Sequence, residues 1–319
     1  MVQARATTVT LRVHRFTPRS ERPERADRAR GRGSNPFARQ RGGSPFGAAS
    51  RRPRGRQWVQ EYTLEAHAED TVLDCLLTIK RTIDPTLAFR YSCGHGMCGS
   101  DAVAINGTPT LLCTASVGEW AKSPSPAADD GFRRTGDGTQ DVADAAETGD
   151  GSDAGDGAAN GSLGVIEIAA LPGFPVRRDL IADIDPMLDQ IRKLKPYLQA
   201  RGELLTTPDG KVNVFEYLQS PQELARFEQL TNCIACGVCE GACPVFAGGD
   251  AFIGPAALIA ASRFINDSRD GAAMERMDRI DTADGVAACQ SVRACGRQCP
   301  RGIDVGEEMW QIVAKVRER

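Results

Sequence analysis

Two cysteine runs in the last third of the 319-residue chain restrict its fold more than any other feature. The first run, residues 233–244, has the pattern C-x2-C-x2-C-x3-C-P. The second, residues 289–300, has the same spacing except that a valine replaces its second cysteine. The first pattern is typical of bacterial ferredoxins with two iron–sulfur cubes, in which the fourth cysteine of one run binds the other cluster. The runs therefore predict two neighbouring clusters that exchange a ligand.

Crossed ligation divides the seven cysteines unequally. One predicted cluster, 4Fe–4S, has four thiolates: Cys233, Cys236, Cys239 and Cys299. The other has only three: Cys243, Cys289 and Cys295. Val292 stands in the fourth place and cannot bind iron, so we interpret this centre as a 3Fe–4S cluster. Zinc also binds four cysteines at C-x2-C spacing and is the alternative, although it rarely uses two interlocked runs that each end in Cys-Pro.

A third motif lies nearer the N-terminus and resembles the C-x4-C-x2-C pattern of plant-type 2Fe–2S ferredoxins, with aspartate in the third place. Its predicted ligands are Cys93, Cys98, Asp101 and Cys113. A carboxylate oxygen can bind iron; in the alternative, Asp101 only forms hydrogen bonds and another group completes the site. His95 lies in this loop, but a Rieske centre needs two histidines and no second one is close in sequence.

The periodicity of apolar residues predicts an α+β protein of two domains. Alternating strands are expected at residues 7–16 and 58–66, with a helix over 71–83 and a closing strand from residue 165. Together with the motif of residues 93–113 they indicate an N-terminal β-grasp domain of the plant-type 2Fe–2S ferredoxin kind, residues 1–178. From residue 179 the pattern is helical, and a capping box begins at Ser220. We therefore expect an all-helical, two-cluster ferredoxin-like domain over residues 179–319.

Two low-complexity segments interrupt this pattern. Residues 17–56 are rich in arginine and residues 122–161 in glycine and aspartate, and both have too little apolar content to fold, so we predict disordered insertions. No nucleic-acid-binding motif accompanies the basic segment, and no nucleic-acid partner is expected. No apolar run approaches the roughly 18 residues of a membrane span, and the N-terminus has no apolar core of a signal peptide. Eleven cysteines in such a chain favour metal over disulfides.

The order of the motifs resembles the iron–sulfur subunits of succinate dehydrogenases and quinol:fumarate reductases. The resemblance covers nearly all of the chain outside the two insertions. Besides the cysteine motifs, it is carried by segments that link them: Arg90-Tyr-Ser, Leu171-Pro-Gly-Phe-Pro-Val, Lys195-Pro-Tyr-Leu, Phe252-Ile-Gly-Pro-Ala, Ser262-Arg-Phe and Asp267-Ser-Arg-Asp. Some members of this family have aspartate at the place of Asp101 and others cysteine.

The resemblance implies a role in the tricarboxylic acid cycle and the respiratory chain. The chain would be the electron-transfer subunit of a membrane-associated succinate dehydrogenase, without a substrate site of its own. Electrons would come from a flavoprotein with FAD and pass through 2Fe–2S, 4Fe–4S and 3Fe–4S clusters to a quinone. Membrane anchor subunits of the cytochrome b type would hold the chain peripherally at the cytoplasmic face. Fumarate reduction in the reverse direction, or a soluble multicluster carrier, is the alternative.

The quinone side departs from the family pattern. Well-studied members have tryptophans a few residues after the first Cys-Pro and a histidine after the first cysteine of the second run. Here Val245 follows Pro244, and Gln290 follows Cys289. Pro244, Gln290 and Ser291 are the candidate residues on the quinone side, and both ubiquinone and menaquinone are compatible with them.

Overall fold

The computed structural model of the chain describes residues 7–19, 55–122, 161–200, 205–206, 208–213 and 219–319. Most of the two segments predicted to be disordered, 17–56 and 122–161, lies outside these residues. At their edges the prediction was wrong. Residues 17–18 and 55–56 are paired in strands, and Lys122 forms an isolated antiparallel bridge with Val165.

The N-terminal hairpin begins a five-stranded sheet. Strand β1 (Thr7–Pro18) pairs antiparallel with β2 (Gly55–Ala66) along its whole length, from Thr7 opposite Ala66 to Pro18 opposite Gly55. Alternate side chains of β1 are buried because successive residues of a strand point to opposite faces of the sheet. Val9, Leu11 and Val13 lie on the buried face and begin the first hydrophobic core.

The rest of the sheet is built from strands that follow the cysteine loop of residues 93–98 in the chain. β3 (Ala102–Ile105), β4 (Thr108–Leu111) and β5 (Ser162–Ala170) complete it in the order β2-β1-β5-β3-β4, and only β1 and β5 are parallel. Helix α1 (Val72–Thr78) has a capping box at Thr71, continues as a π-turn (Ile79–Ile83) and packs on the sheet. The short helix α2 (Val117–Trp120) follows β4. This arrangement confirms the predicted β-sheet domain.

A buried carboxylate ties β1 to the segment that leads into the first motif. Asp179 accepts hydrogen bonds from the amides of Phe16 (3.1 Å) and Ala88 (2.9 Å) and pairs with Arg15 at 2.9 Å. The backbone N–H of Asp179 also donates to the carbonyl of Phe16. Asp179 lies between β6 (Val176–Arg178) and β7 (Ile181–Ala182), a small hairpin at the end of the first domain.

The remainder of the chain is mainly helical. Its helices are α3 (Asp185–Lys193), α4 (Pro221–Ala225), α5 (Val238–Ala242), α6 (Pro244–Ala247), α7 (Pro255–Ile265), α8 (Ala273–Ile280) and α9 (Val305–Arg317). Short 3-10 turns occupy Glu228–Asn232, Val286–Ala288 and Gly296–Gln298. No helix in the described part of the chain is both long and apolar enough to cross a membrane.

Two details differ from the predicted all-helical domain. Residues 205–206 and 212–213 form a small antiparallel pair, β8 (Leu205–Thr206) and β9 (Val212–Asn213). Helix α8 was not predicted, because only two of its apolar side chains, Met277 and Ile280, are buried. By contrast, the capping box at Ser220 is present, with Glu223 as its partner.

A buried arginine positions α8 in place of an apolar stripe. Arg276, only 2% exposed, pairs with both carboxylate oxygens of Asp270, at 2.8 and 3.1 Å. It also donates to the carbonyl oxygens of Leu194, Lys195 and Tyr197 at 2.7–2.9 Å. The guanidinium thus joins the segment after α3 to α8, and the central helix α7 packs against α3, α8 and α9.

Candidate metal centres

The first centre is a loop between α1 and β3 that turns its amides toward sulfur. The N–H groups of His95 and Met97 point to the Sγ of Cys93 at 3.5 and 3.4 Å, and that of Gly96 points to the Sγ of Cys113 at 3.2 Å. The hydroxyl of Ser100 lies 3.1 Å from the Sγ of Cys98. Such donors stabilise thiolates and influence the potential of a bound cluster.

The pKa values of two of these thiols are shifted in opposite directions. Hydrogen bonds from Ser100 and from the backbone amide of Cys93 lower the pKa of Cys98 to about 6. Burial, followed by the hydrogen bond with Asp101, raises the pKa of Cys113 to about 12. Cys98 is exposed at the loop surface, whereas Cys113 is enclosed by the core of the first domain.

Asp101 lies beside Cys113, as the motif requires. It is 3% exposed, and its Oδ2 accepts the N–H of Cys113 at 2.7 Å. Its Oδ1 is buried and has no hydrogen-bond partner among the described residues. A buried acceptor without a partner is rare in folded proteins. One oxygen of Asp101 is therefore structural, and the other remains available for iron, which is compatible with both sequence interpretations.

The second centre unites residues that are 60 positions apart in the chain. One cavity is lined by the four cysteines assigned to the 4Fe–4S cluster: Cys233, Cys236, Cys239 and Cys299. Ile234, Ala256, Ile259 and Ile303 supply most of its apolar wall. Burial raises the pKa of Cys236 to about 11, so positive charge from iron is needed to hold this sulfur as thiolate.

The third centre contains the remaining three cysteines of the two runs. Cys243, Cys289 and Cys295 line a separate cavity together with Val292, the residue in place of a fourth ligand. Burial raises the pKa of Cys295 to about 12. The structure thus brings together the two groups that crossed ligation predicts, and it places Val292 with the group of three.

The predicted quinone-side residues border this third cavity. Pro244, Gln290 and Ser291 all line it, and Gln290 and Ser291 are exposed. Ser291 and Arg293 adopt φ angles of 55° and 61°, so the backbone on both sides of Val292 is left-handed. Val292 is 55% exposed, so it does not seal the centre. The side chain instead reaches the surface.

A buried carboxylate between the second and third centres was missed by the sequence analysis. Glu240 is fully buried in α5, between Cys239 and Cys243. Its Oε1 accepts the N–H of Ala256 at 3.1 Å, in the first turn of α7, and its Oε2 has no partner among the described residues. Burial raises its pKa to about 8. Its position among cysteines was the only signal in the sequence.

The three centres are adjacent in order. Cys98 and Asp101 of the first centre share a cavity of about 280 Å³ with Cys236 of the second. Cys239 lies in the five-residue helix α5 and Cys243 directly follows it, so these two cysteines, one from each centre, are separated by about 6 Å of helical rise. An electron carrier needs such neighbours, because charge must move from one centre to the next.

The donor sets fit iron–sulfur clusters. Thiolates are the usual ligands of 2Fe–2S and 4Fe–4S clusters, and the amides of the first loop already face sulfur. No group of three or more histidine, cysteine, aspartate or glutamate side chains in the described ranges is arranged to hold a metal ion. A cluster differs from a lone ion, since its inorganic sulfides keep the cysteine sulfurs apart.

Comparison with known families assigns both domains. Residues 10–189 match the family described as 2Fe-2S iron-sulfur cluster binding domain. Residues 229–303 match the family described as 4Fe-4S dicluster domain. These matches confirm the predicted 2Fe–2S and 4Fe–4S clusters and disagree with the zinc alternative.

Whole-chain comparisons agree with the order of these domains. The chain is 34% identical over 245 residues to the fumarate reductase iron-sulfur subunit of Mycobacterium tuberculosis, covering 77% of this chain and 80% of that protein. It is 29% identical over 243 residues to the protein of that name from Escherichia coli, with coverages of 76% and 80%. A chain of the Mycobacterium smegmatis Sdh1 complex in the apo form shares the fold, with a TM-score of 0.64, 19% identity and coverages of 98% and 97%.

Proposed function

Because the chain belongs to the family of iron–sulfur subunits of fumarate reductases and succinate dehydrogenases, we propose that it links a flavoprotein with FAD to a membrane quinone through three clusters. It is an electron-transfer subunit, and its partners are the other subunits of such a complex. The observation that carries the finer proposal is the division of the seven cysteines between two adjacent cavities.

The proposed ligands follow from this division. The first loop and Cys113 would hold the 2Fe–2S cluster, with Asp101 as its fourth ligand. The second cavity, with four cysteines, would hold the 4Fe–4S cluster, and the third, with three cysteines and Val292, a 3Fe–4S cluster. These clusters supply one-electron chemistry that connects two-electron reactions of a flavin and a quinone. The protein's own part is to fix their order and to surround them with apolar walls.

The chain would meet its partners at two different surfaces. The exposed side chains of Tyr91 and Met97 border the first loop and would face the flavoprotein. Val292 lies at the third cavity, where an anchor subunit of the cytochrome b type would hold the chain peripherally at the cytoplasmic face of the membrane. Pro244, Gln290 and Ser291 would lie on the quinone side.

The experiment is to isolate the complex from membranes of the source organism with an affinity tag on this chain. We expect a flavoprotein and membrane subunits to copurify, and electron paramagnetic resonance (EPR) to show three cluster signals. A chain that purifies alone with its clusters would instead be a soluble carrier. Two cluster signals instead of three would contradict the assignment of Val292.

The same arrangement serves succinate oxidation and fumarate reduction, because one-electron centres both accept and donate electrons. The purified complex therefore decides the direction. Succinate oxidation with ubiquinone and menaquinone analogues, compared with fumarate reduction by the matching quinols, gives the ratio of the two rates. A ratio well above one assigns the chain to a succinate dehydrogenase, and the reverse assigns it to a fumarate reductase.

A further inference from the structure

One arginine touches both the first and the second centre. The Nη1 of Arg301 lies 3.0 Å from the Sδ of Met97, in the loop between Cys93 and Cys98. Arg301 also lines the second cavity with its four cysteines, and it follows Cys299 by two residues. A cation therefore lies where the loop of the first centre meets the second cavity.

One N–H donor of this guanidinium lacks a hydrogen-bond acceptor. The Nε of Arg301 is buried and has no hydrogen-bond partner among the described residues. A buried donor without an acceptor costs about 1–3 kcal/mol, so native structures seldom tolerate one. The cavity that Arg301 lines contains four sulfur atoms that become anionic when they bind iron. Sulfur of a cluster held there would supply the acceptor that this donor lacks.

The backbone around Arg301 limits where its side chain can go. The N–H of Gly302 donates to the carbonyl of Cys299 at 3.2 Å, which closes a turn. Gln229 donates to the carbonyl of Gly302 at 2.7 Å and fastens this turn to the segment before Cys233. The next side chain, Ile303, is 2% exposed and fills the wall of the cavity. The backbone that carries Arg301 is thus fixed by this turn, by Gln229 and by the buried Ile303.

We propose that Arg301 is a positioning residue that raises the reduction potential of the 4Fe–4S cluster and holds the Met97 loop against it. The proposal rests on the ligand assignment given under Proposed function. A cubane with four thiolates gains negative charge on reduction, and charge and hydrogen bonds at its sulfurs set its potential. Arginine remains protonated at any physiological pH, so its charge favours the reduced cluster permanently.

The test is an EPR-monitored redox titration of the complete, membrane-extracted complex. Arg301→Gln removes the charge, and Arg301→Lys keeps it. Arg297→Gln is the matched control, because Arg297 has the same charge, lies two residues before Cys299 and is exposed to water. We expect Arg301→Gln to shift the 4Fe–4S midpoint to a more negative value, Arg301→Lys to shift it less, and Arg297→Gln to leave it unchanged.

Each result decides the matter. A fully occupied 4Fe–4S site with an unchanged midpoint in Arg301→Gln overturns the proposal. If Arg301→Gln loses the cluster, retention in Arg301→Lys supports the need for a cation, and loss in both shows that shape rather than charge matters. A wild-type complex without a 4Fe–4S signal would refute the ligand assignment instead, so the two failures are distinguishable.

Discussion

The Cβ of Cys236 lies 2.5 Å from the place that a Cβ on Gly99 would occupy. No side chain fits between them, so the backbone of the first centre's loop at Gly99 lies directly against the side chain of Cys236. Gly99 also has a φ of +66°, which costs a residue with a Cβ about 1–2 kcal/mol. The approach of the first and second centres depends on this absence of a side chain.

Replacing Gly99 with alanine should therefore separate the two centres. We expect Gly99→Ala to lower the free energy of unfolding by about 2–4 kcal/mol, since overpacking adds to backbone strain. Gly94→Ala is the matched control, because Gly94 has a φ of +74° but nothing within 4 Å of a Cβ. Thermal unfolding measures both variants. Equal losses in the two would mean that the contact with Cys236 contributes nothing.

Two substitutions at Asp101 distinguish its structural role from a role as an iron ligand. Asp101→Cys should retain the 2Fe–2S cluster, because a thiolate replaces the carboxylate as ligand. Asp101→Asn keeps the acceptor for the Cys113 amide but removes the negative charge, so it should lose the cluster faster in the presence of a chelator. Iron and sulfide contents over time give the comparison. Identical retention in wild type and Asp101→Asn would contradict iron binding by Asp101.

Val292 tests the identity of the third centre. Val292→Cys supplies the missing thiolate in a cavity that already holds three, so we expect the three-iron EPR signal to decrease and a four-iron signal to appear at lower potential. Val292→Ala, which also removes the branched side chain but adds no ligand, should keep the three-iron signal. An unchanged signal in Val292→Cys would count against crossed ligation at this centre.

Because Asp270 is paired with Arg276 in the folded protein, we expect the stability of the protein to depend on pH. Burial alone would raise the pKa of Asp270, but hydrogen bonds from Arg276 and from the amides of Gln199 and Ala272 hold it below its usual value. A carboxyl group whose pKa is lowered by folding stabilises the fold at pH values above the pKa that it has in the unfolded chain, about 3.9. This contribution is lost as the pH falls through the folded pKa. Urea unfolding from pH 6 to pH 2.5 should show the decline.

The contribution of this ion pair can also be tested by removing its cation, Arg276. Arg276→Met leaves the buried Asp270 and three carbonyl groups without their partner, and we expect a loss of about 3–5 kcal/mol. Arg279, on the same helix and 40% exposed at its side chain, is the control. Its pair with Glu275 is a surface pair, so Arg279→Met should cost less than about 1 kcal/mol. Similar losses from the two substitutions would refute the importance of burial.

Spacing alone predicted most of the candidate sites. The intervals within the two runs and the position of Val292 determine which cysteines meet, because ligands around one cluster must satisfy a local geometry. The capping box at Ser220 also followed from neighbouring residues. These features depend on a few adjacent positions, which the sequence displays directly.

Features made by contacts between distant segments could not be predicted. Helix α8 is fixed by Arg276, whose carbonyl partners lie about 80 residues earlier. Glu240 and Arg301 look like ordinary surface charges until the fold buries Glu240 and brings Arg301 to Met97. The exposure of Val292 likewise depends on the left-handed backbone of its neighbours, for which neither Ser291 nor Arg293 is an obvious residue.

The short helix α5 acts as a ruler between two ligand sets. One additional residue would advance Cys243 by about 1.5 Å and rotate it by about 100° relative to Cys239, so neither cavity would keep its cysteines. A change in the length of the segment between Cys239 and Cys243 would therefore disrupt both cavities at once.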